Sequence, residues 1–595
     1  MNNQISHRID ELRKQMKAAG TDAVIIPQTD PHQSEYISSH WQVRRYLSGF
    51  TGSAGSLVVT ANKALLWTDS RYFLQAANQL EGTGIELMRD GLPDTPSIET
   101  WLTDNLKRGQ CVGVDGMLFS KNEAERLEKY FTLHGLRFKT DFDVVDEIWL
   151  DRPALPADEV FVHEEKFAGE SAKSKIAGIL DKVRHQFADS VFISPLDEIA
   201  WVLNIRSRDV KYNPVATAYL YVAPEGTTLL IDPVKVTPAI KDYLKSQGVN
   251  VQPYANVKSF ISALPTDAHV LIEPNKTSVT LANLLGSRAV TGETVVAIDK
   301  ACKNDIQIAG LREAMEHDGV AMVCSLMELE KRIAEGVPTT ELDVAAILLK
   351  YRSQQPLFFD ESFGTIAGYG PHGAIVHYEA DEQSSSALRP EGLLLIDSGA
   401  QYLNGTTDLT RTIALGAPTA GEKHDFTLVM KGHIALGTAI FPAGTRGAQL
   451  DALAHQFLWK EGLNYLHGTG HGVGFFLNVH EGPQSIRLNY MPTPIMPGMI
   501  TSNEPGLYRE NIHGIRCENL VLCVPAMTTE FGEFLKFETL TLCPFDLSLF
   551  ETEIMTDAEI DWLNNYHAEV RRRLLPLLNA EQQAWLTEKT KPLSR

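Results

Sequence analysis

One stretch of the chain, residues 393–518, constrains the fold because it places acidic side chains in short segments separated by turns. The five potential ligands in it are Asp397 in LLLIDSGAQ, Asp408 in TTDLTRT, His471 in HGTGHGVG, Glu504 in SNEPGLY and Glu518 in GIRCENL. Four carboxylates and one imidazole form a hard, oxygen-rich set that suits two adjacent divalent cations, Mn²⁺, Co²⁺ or Zn²⁺. The fold must bring these segments together, since buried carboxylates need partners and cations supply them.

The first two carboxylates are predicted to lie on one hairpin. Asp397 ends an apolar strand run, and Asp408 follows eleven positions later, across a turn containing Asn404-Gly405. If that dipeptide formed a tight two-residue turn, Asp408 would face Gln401, about 13 Å along the strand from Asp397. A looser loop or a bulge at Gly399 is therefore expected if the two share a site.

The other three ligands lie in two further segments. Glu504 and Glu518 flank the turn-like YRENIHG, which predicts adjacent antiparallel strands. His471 is surrounded by glycines that leave room for another backbone or a ligand. Considered alone, each carboxylate is more often a strand-end residue and the histidine a core residue. Only the complete set indicates a metal site.

Four more polar residues flank the ligands: His377 in GAIVHYE, His467, His480 in NVHEGP, and Arg516. Together they are predicted to bind a substrate carbonyl, stabilise a developing oxyanion and transfer protons. Competing motifs fail. HEGPQ is not HExxH, GAPTAGEK has Glu422 where a P-loop needs lysine, and no serine lies in GxSxG.

Composition and charge exclude several classes of protein. A chain of 595 residues is too long for one hydrophobic core, and 44% hydrophobic with 22% charged residues is typical of globular proteins. A net charge of −21 without a basic stripe argues against nucleic acid or an anionic membrane as partner. Small-molecule or peptide substrates are expected instead.

The sequence predicts a cytoplasmic protein. Residues 1–20 form a charge-rich amphipathic helix pattern without the apolar region of a secretory signal. No run approaches the eighteen or more uncharged apolar residues of a membrane span. Six cysteines without a CxxC pair favour free thiols in a reducing compartment.

The predicted elements divide the chain into four parts and give the fold class, α/β plus α+β. The parts are two α/β domains at 1–155 and 156–304, an α+β domain at 305–528 and a carboxy-terminal extension at 529–595. The first two alternate strand-like and helical stretches in the same rough order, which indicates an ancient duplication. Such units more often position substrate than carry out chemistry.

The third part is predicted to open with a long helix from about Asp305 that stops near Gly336. A second helix, a glycine-containing strand over 364–380, the carboxylate hairpin and two helices around 420–462 are expected after it.

The extension is predicted to end in a helix that begins at a capping box of Thr556 and Glu559. One face of this helix carries a largely apolar stripe formed by Ile560, Leu563, His567, Val570 and Leu574. Such a stripe usually packs within its own chain. A dimer contact is the alternative interpretation.

The order Asp, Asp, His, Glu, Glu in these motifs resembles the pita-bread metallopeptidases, which include methionine aminopeptidase, prolidase and aminopeptidase P. Within that group, GTGHGVGFFLNVHEGP and the VHY around His377 are similar to motifs of the aminopeptidase P (Xaa-Pro aminopeptidase) family. HQSEYI, RRYLSGFTGSAG, TDSRYFLQA and SPLDEIAWVLNIR extend the likeness to the amino-terminal half. The resemblance spans nearly the whole chain and is greatest to the three-domain cytosolic form.

This resemblance implies a fold, a metal site and a reaction. The fold would be two creatinase-like α/β domains followed by a pita-bread catalytic domain. Two divalent ions, Mn²⁺ first with Co²⁺ or Zn²⁺ as alternatives, would be held by Asp397, Asp408, His471, Glu504 and Glu518, with Asp408 and Glu518 bridging. Glu504 would also shuttle a proton, His377 and His480 would bind the substrate and tetrahedral intermediate, and His467 and Arg516 would shape the proline pocket.

The implied reaction is removal of an unblocked amino-terminal residue from peptides whose second residue is proline. The peptide bond before proline is a tertiary amide without an N–H, so peptidases that bind that N–H lose a contact. The resemblance also implies a cytoplasmic homodimer.

Three alternatives stay open. A prolidase-type dipeptidase would cleave Xaa-Pro and spare tripeptides. A creatinase-type amidinohydrolase shares the fold, but it uses no metal and lacks this ligand set. A peptide-binding or histone-chaperone module on an inactive peptidase scaffold would have lost ligands, whereas all five are present here.

Overall fold

The computed structural model describes residues 2–595 and divides them into two compact units. The amino-terminal unit comprises residues 1–165 and 170–296, and the carboxy-terminal unit comprises 166–169 and 297–595. Among the described residues, no helix combines the length and apolarity that crossing a bilayer requires.

The amino-terminal unit contains two six-stranded sheets of mixed direction. Its strands are β1 Ala23–Ile26, β2 Ser56–Thr60, β3 Ala64–Thr68, β4 Glu86–Arg89, β5 Cys111–Gly113, β6 Arg137–Lys139, β7 Phe161–Val162, β8 Ser190–Ile193, β9 Ile205–Arg206, β10 Ala218–Ala223, β11 Gly226–Ile231, β12 Val249–Gln252, β13 Val270–Ile272 and β14 Ala289–Thr291. The first sheet has the order β4-β3-β2-β1-β5-β6, and the second has β12-β11-β10-β8-β13-β14. Corresponding neighbours pair in the same sense, so the predicted repeat is present in the topology.

Helices pack around these two sheets. They are α1 Asn2–Ala18, α2 Val43–Ser48, α3 Phe73–Leu80, α4 Ile98–Asn105, α5 Lys121–Leu133, α6 Val145–Ile148, α7 Glu165–Ala168, α8 Ala172–His185, α9 Leu196–Leu203, α10 Pro238–Ser246, α11 Val257–Ala263 and α12 Val279–Leu285. Helix α7 crosses the boundary between the two units.

The glycine-rich segment 49–55 is the loop that connects α2 to β2. The buried Arg44 guanidinium donates to the carbonyl oxygens of Phe50, Gly52 and Ala54. A phosphate cradle would instead turn backbone N–H groups inward. Here the carbonyl oxygens point inward, toward the Arg44 guanidinium.

The carboxy-terminal unit has an α+β architecture built on antiparallel strands. Its strands are β15 Phe358–Glu361, β16 Ile366–Tyr369, β17 Leu393–Ser398, β18 Ala400–Tyr402, β19 Gly405–Thr406, β20 Leu409–Ala414, β21 Ile440–Pro442, β22 Gly470–Gly472, β23 Glu481–Ile486, β24 Ile500–Asn503, β25 Gly506–Arg509, β26 His513–Arg516, β27 Asn519–Thr529 and β28 Gly532–Thr539. Its helices are α13 Ala297–Ala301, α14 Asp305–Ala334, α15 Glu341–Arg352, α16 Ala420–Gly437, α17 Gly447–Trp459, α18 Asp557–Leu574 and α19 Ala580–Lys589.

The long helix α14 has the predicted limits. It begins after Asn304, which forms a capping box with Gln307, and it ends before Gly336, whose φ of +66° stops helical geometry. Leu311, Met315 and other residues of its inner face are buried.

The predicted strand over 364–380 is wrong in extent. Only β16 is extended, and a 3₁₀ turn, Gly370–Ala374, follows it. Gly370 has a φ of +53°, and Pro371 offers no N–H to a ladder, so the strand cannot continue. His377 therefore lies in an irregular segment rather than on a strand.

The carboxylate hairpin closes in a tight two-residue turn rather than in the looser loop expected from the sequence. Its two turn residues are Leu403-Asn404, and Tyr402 pairs with Gly405. The expected looser loop is therefore wrong, because the chain makes a tight turn centred one residue before Asn404-Gly405. Leu403 and Asn404 form the tip of the hairpin.

The earlier turn changes which residue faces Asp408. The ladders on both sides of the break at Gly399 share one register, which places Asp408 across from Gly399 rather than Gln401. Asp397 pairs with Thr410. The two carboxylates are thus diagonal neighbours, with Cα atoms about 7–8 Å apart, and neither a loose loop nor an inserted bulge residue is needed.

The apolar stripe of α18 packs within its own chain. Ile560, Leu563, Val570 and Leu574 belong to the core cluster that also contains Leu520 of β27. His567 of the same face is buried as well. The alternative of a dimer contact through this stripe is therefore wrong.

Replacing Leu563, which is fully buried, tests this packing. We expect Leu563→Ala to lower the free energy of unfolding by about 2–5 kcal/mol, because it leaves a cavity in the core. Leu577→Ala, at a position that is 50% exposed, is the control and should change it by less than about 0.5 kcal/mol. Urea denaturation measures both. If Leu563→Ala kept the wild-type urea midpoint and changed the mass of the protein in solution, intramolecular packing of α18 would be contradicted.

Candidate metal centre

Glu504 and Glu518 lie opposite each other in one long antiparallel hairpin. The β24–β27 ladder pairs Asn503 with Asn519, and the β25–β26 ladder continues in the same register. The two glutamates therefore face each other at the junction between the ladders. The predicted antiparallel pairing of their two segments is confirmed, and each glutamate lies in the short break between two strands.

His471 lies on β22, between β23 and β24, where neighbouring backbones approach closely. A Cβ on Gly470 would lie 1.9 Å from the Ser502 carbonyl oxygen, and one on Gly472 would lie 2.1 Å from the Glu481 carbonyl oxygen. Only glycine fits at these two positions. The glycines that flank His471 therefore admit neighbouring strands.

Three of the predicted ligands converge directly. Asp408, His471 and Glu518 each offer one ligand atom, and these atoms lie within 4.8 Å of one another. His471 Nε2 lies 3.4 Å from Asp408 Oδ2 and 3.4 Å from Glu504 Oε1. The Gly472 carbonyl accepts from His471 Nδ1 at 2.9 Å, which leaves Nε2 to face the carboxylates.

Asp397 has one oxygen engaged and one without a donor. Arg516 Nη2 donates to Asp397 Oδ2 over 2.6 Å. Oδ1 is buried and accepts no hydrogen bond from the part of the chain that the structure describes. A buried carboxylate oxygen without a donor is costly, and a bound cation removes that cost. This orphan oxygen fits a metal ligand.

The electrostatics of the group also favour cations. Burial, together with the neighbouring carboxylates, holds the pKa of Glu518 well above its usual range, and burial raises the pKa of Glu504 to about 7. Although burial alone would lower the pKa of His471, Asp408 and Glu504 raise it to about 9. The carboxylates therefore need more positive charge than His471 and Arg516 supply, and two dications would provide it.

His480 and His377 border this group. The ring centroids of His480 and His471 are 4.3 Å apart. His377 is half-buried, and the carbonyl of the preceding Val376 accepts from Arg516 Nη2 at 3.2 Å. The structure thus places His480 against His471, and it ties the residue before His377 to Arg516, which bonds Asp397.

His467 connects to the group through a residue that the sequence did not indicate. Tyr508 OH lies 2.8 Å from His467 Nε2 and accepts from Arg516 Nη1 at 2.7 Å. A hydrogen-bonded chain therefore runs from His467 through Tyr508 and Arg516 to Asp397. Arg516 is fully buried and bonds protein acceptors with all three of its nitrogens.

Two hydroxyl groups were also missed. Thr410 Oγ1 donates to Glu518 Oε2 over 2.7 Å, and Ser502 Oγ donates to Glu504 Oε1 over 3.0 Å. Thr410 lies two positions after Asp408, and Ser502 two before Glu504. Strand residues two apart point to the same face, so this spacing is a signal that could have found them.

Replacing Glu518 by glutamine tests the electrostatic account. In a chelator at pH 8, Glu518→Gln should raise the melting temperature, because a glutamate whose folded pKa is raised destabilises the fold above its unfolded pKa of about 4.3. With added Mn²⁺ the variant should gain less than the wild type, since it has lost a negative ligand.

The exposed Glu533→Gln is the matched control and should leave both melting temperatures unchanged. A chelated Glu518→Gln protein that melts below the chelated wild type would contradict the account.

Models of known families match most of the chain. Metallopeptidase family M24 matches residues 309–525, and the C-terminal region of that family matches 533–593. Two models of the creatinase/prolidase N-terminal domain match residues 8–143 and 151–307. The predicted fold class, two creatinase-like domains followed by a pita-bread domain, is confirmed.

Individual relatives match over nearly the whole length. Aminopeptidase P2 of Arabidopsis thaliana is 42% identical over 615 residues, covering 97% of this chain and 86% of the relative. A probable Xaa-Pro aminopeptidase P of Neosartorya fischeri is 40% identical over 610 residues, covering 99% and 93%. The crystal structure of an X-prolyl aminopeptidase from Caenorhabditis elegans, a cytosolic enzyme with a di-nuclear active site, superposes with a TM-score of 0.93 at 36% identity, covering 96% of this chain and 95% of that one. The chain therefore belongs to metallopeptidase family M24, and it is similar to Xaa-Pro aminopeptidase P proteins over almost its full length.

Proposed function

We propose that this protein is a metal-dependent aminopeptidase that removes the first residue from peptides with proline in second position. The observation that carries the proposal is the convergence of Asp408, His471 and Glu518 beside the orphan oxygen of Asp397. Relatives named Xaa-Pro aminopeptidase, and a solved relative with a di-nuclear active site, support the substrate class and two cations.

The side chains that would hold the two cations are Asp397, Asp408, His471, Glu504 and Glu518. Asp408 lies against His471, and Thr410 holds one Glu518 oxygen while the other stays available. Mn²⁺ is proposed as the native ion, with Co²⁺ or Zn²⁺ as alternatives. All three ions suit an oxygen-rich ligand set with one imidazole.

When bound, the two cations would polarise the scissile carbonyl and acidify the attacking water. Glu504 would take a proton from the attacking water and pass it to the proline nitrogen as the C–N bond breaks. Its Oε1 already accepts from Ser502, which orients the carboxylate. The products are the free first residue and a peptide that begins with proline.

The remaining residues bind and orient the substrate. His377 and His480 would donate to the carbonyl oxygen as negative charge develops on it. His467 and Arg516, joined through Tyr508, would shape the pocket for the pyrrolidine ring. Such a pocket binds the pyrrolidine ring and needs no hydrogen bond from the scissile N–H, so no contact is lost with a tertiary amide.

Peptide hydrolysis tests this function. With added Mn²⁺, the protein should release arginine from Arg-Pro-Pro and spare Arg-Ala-Ala and acetylated Arg-Pro-Pro. Chelation should abolish the release, and Mn²⁺ should restore it. Cleavage of Arg-Pro but not Arg-Pro-Pro would show a prolidase-type dipeptidase instead, and no proline-dependent release would contradict both.

Glu504→Gln extends the same assay to the proposed proton carrier. The variant should lose at least about 100-fold in kcat, because it lacks a negative ligand and a proton acceptor. Glu510→Gln, at an exposed position on the same hairpin, is the control and should stay active. Near wild-type turnover by Glu504→Gln would contradict the assigned role.

A cytoplasmic homodimer completes the proposal. The cytosolic relative from Caenorhabditis elegans supports the location. The family resemblance is the support for a dimer, since the α18 stripe is buried within its own chain. The domain limits 1–155, 156–304, 305–528 and 529–595 are proposed on the same resemblance. A peptide- or histone-binding module without activity is less well supported, because all five ligand side chains are present.

A further inference from the structure

A fully buried carboxylate outside the metal group collects four donors. Glu341, in the first turn of α15, is 0% exposed. It accepts from Tyr369 N–H at 2.8 Å, His372 Nδ1 at 2.9 Å, Tyr378 OH at 2.9 Å and Ser386 N–H at 2.7 Å. A carboxylate so fully satisfied holds each of these groups in a defined place.

All four donors belong to one irregular segment, residues 369–386, which contains His377. Tyr369 lies at its start and Ser386 at its end, and the Ser386 carbonyl also accepts from the Glu341 N–H. The segment has little regular structure beyond one 3₁₀ turn. Its conformation therefore depends on side-chain anchors rather than on a ladder.

A second anchor holds the opposite side of His377. Arg516 donates to the carbonyl of Val376, and the backbone around Gly373 packs so closely on β26 that a Cβ on Gly514 would lie 1.7 Å from the Gly373 carbonyl oxygen. His377 thus lies between Val376, tied to Arg516, and Tyr378, tied to Glu341.

We propose that Glu341 is a positioning residue for His377. By fixing Tyr378 and both ends of the segment, it sets where the His377 imidazole stands relative to the metal centre. The inference rests on the proposed function, since it concerns His377 as a group that binds the scissile carbonyl. Glu341 itself touches neither substrate nor cation.

A double-mutant cycle with His377 tests the proposal. Glu341→Gln replaces two acceptor oxygens by one acceptor and an N–H donor, so buried donors lose their partner. We expect kcat/KM on Arg-Pro-Pro to fall by about 10- to 100-fold, because small displacements of a binding group are costly in rate. In a His377→Ala background the same change should cost less than about twofold, since its effect passes through His377.

Two further measurements and two further variants separate positioning from general damage. The Mn²⁺ content of Glu341→Gln should equal that of the wild type, and peptides covering 369–386 should exchange their amide hydrogens faster. Asp343→Asn, which weakens the capping box of the same helix without touching the segment, should lower the melting temperature and leave kcat/KM unchanged. Tyr378→Phe removes one donor to Glu341, so its loss of kcat/KM should be smaller, and this loss should also vanish in the His377→Ala background. This variant replaces Glu341→Gln in the cycle if Glu341→Gln does not fold.

Wild-type kcat/KM in Glu341→Gln, or a loss of equal size in the His377→Ala background, would overturn the positioning role. If Tyr378→Phe is the variant used, the same two results would overturn it. An inactive wild type on Arg-Pro-Pro would instead overturn the proposed function, so the two failures are distinguishable.

Discussion

Repulsion among buried carboxylates is the constraint on which the carboxy-terminal unit depends. Asp397, Asp408 and Glu518 are buried and Glu504 is half-buried, and burial raises the pKa of Asp397, Glu504 and Glu518. The chain offers partial compensation, with Arg516 on Asp397 and hydroxyl donors on the two glutamates. Complete compensation requires cations, and the orphan oxygen of Asp397 shows where one is expected.

Strand register then converts these separate carboxylates into one site. Two hairpins, each in a single register, place Asp408 across from Gly399 and Glu504 across from Glu518. Gly399 is essential here, because a Cβ on it would lie 2.0 Å from the Thr407 carbonyl oxygen. The buried Arg411 joins this framework to the extension, donating to the Glu518 carbonyl over 2.6 Å and to Tyr566 OH of α18 over 2.9 Å.

Sequence patterns predicted the parts of the molecule whose signals are local. The limits of α14, the capping box of α18, the repeated α/β plan and the antiparallel pairing of the segments that carry Glu504 and Glu518 follow from period, caps and turns. The position of the carboxylate turn did not follow, because Leu403-Asn404 and Asn404-Gly405 are both acceptable turns and tertiary packing selects the first. Tyr508 and Glu341 escaped prediction because their partners are distant in the chain.

The five proposed ligand side chains are expected to hold two cations. Anomalous diffraction tests this expectation most directly. Crystals grown with Mn²⁺ would be measured on both sides of the manganese absorption edge. We expect two anomalous peaks per chain among Asp397, Asp408, His471, Glu504 and Glu518, one of them bonded to His471 Nε2. No peak in this region, or a single peak away from Asp397, would contradict the account.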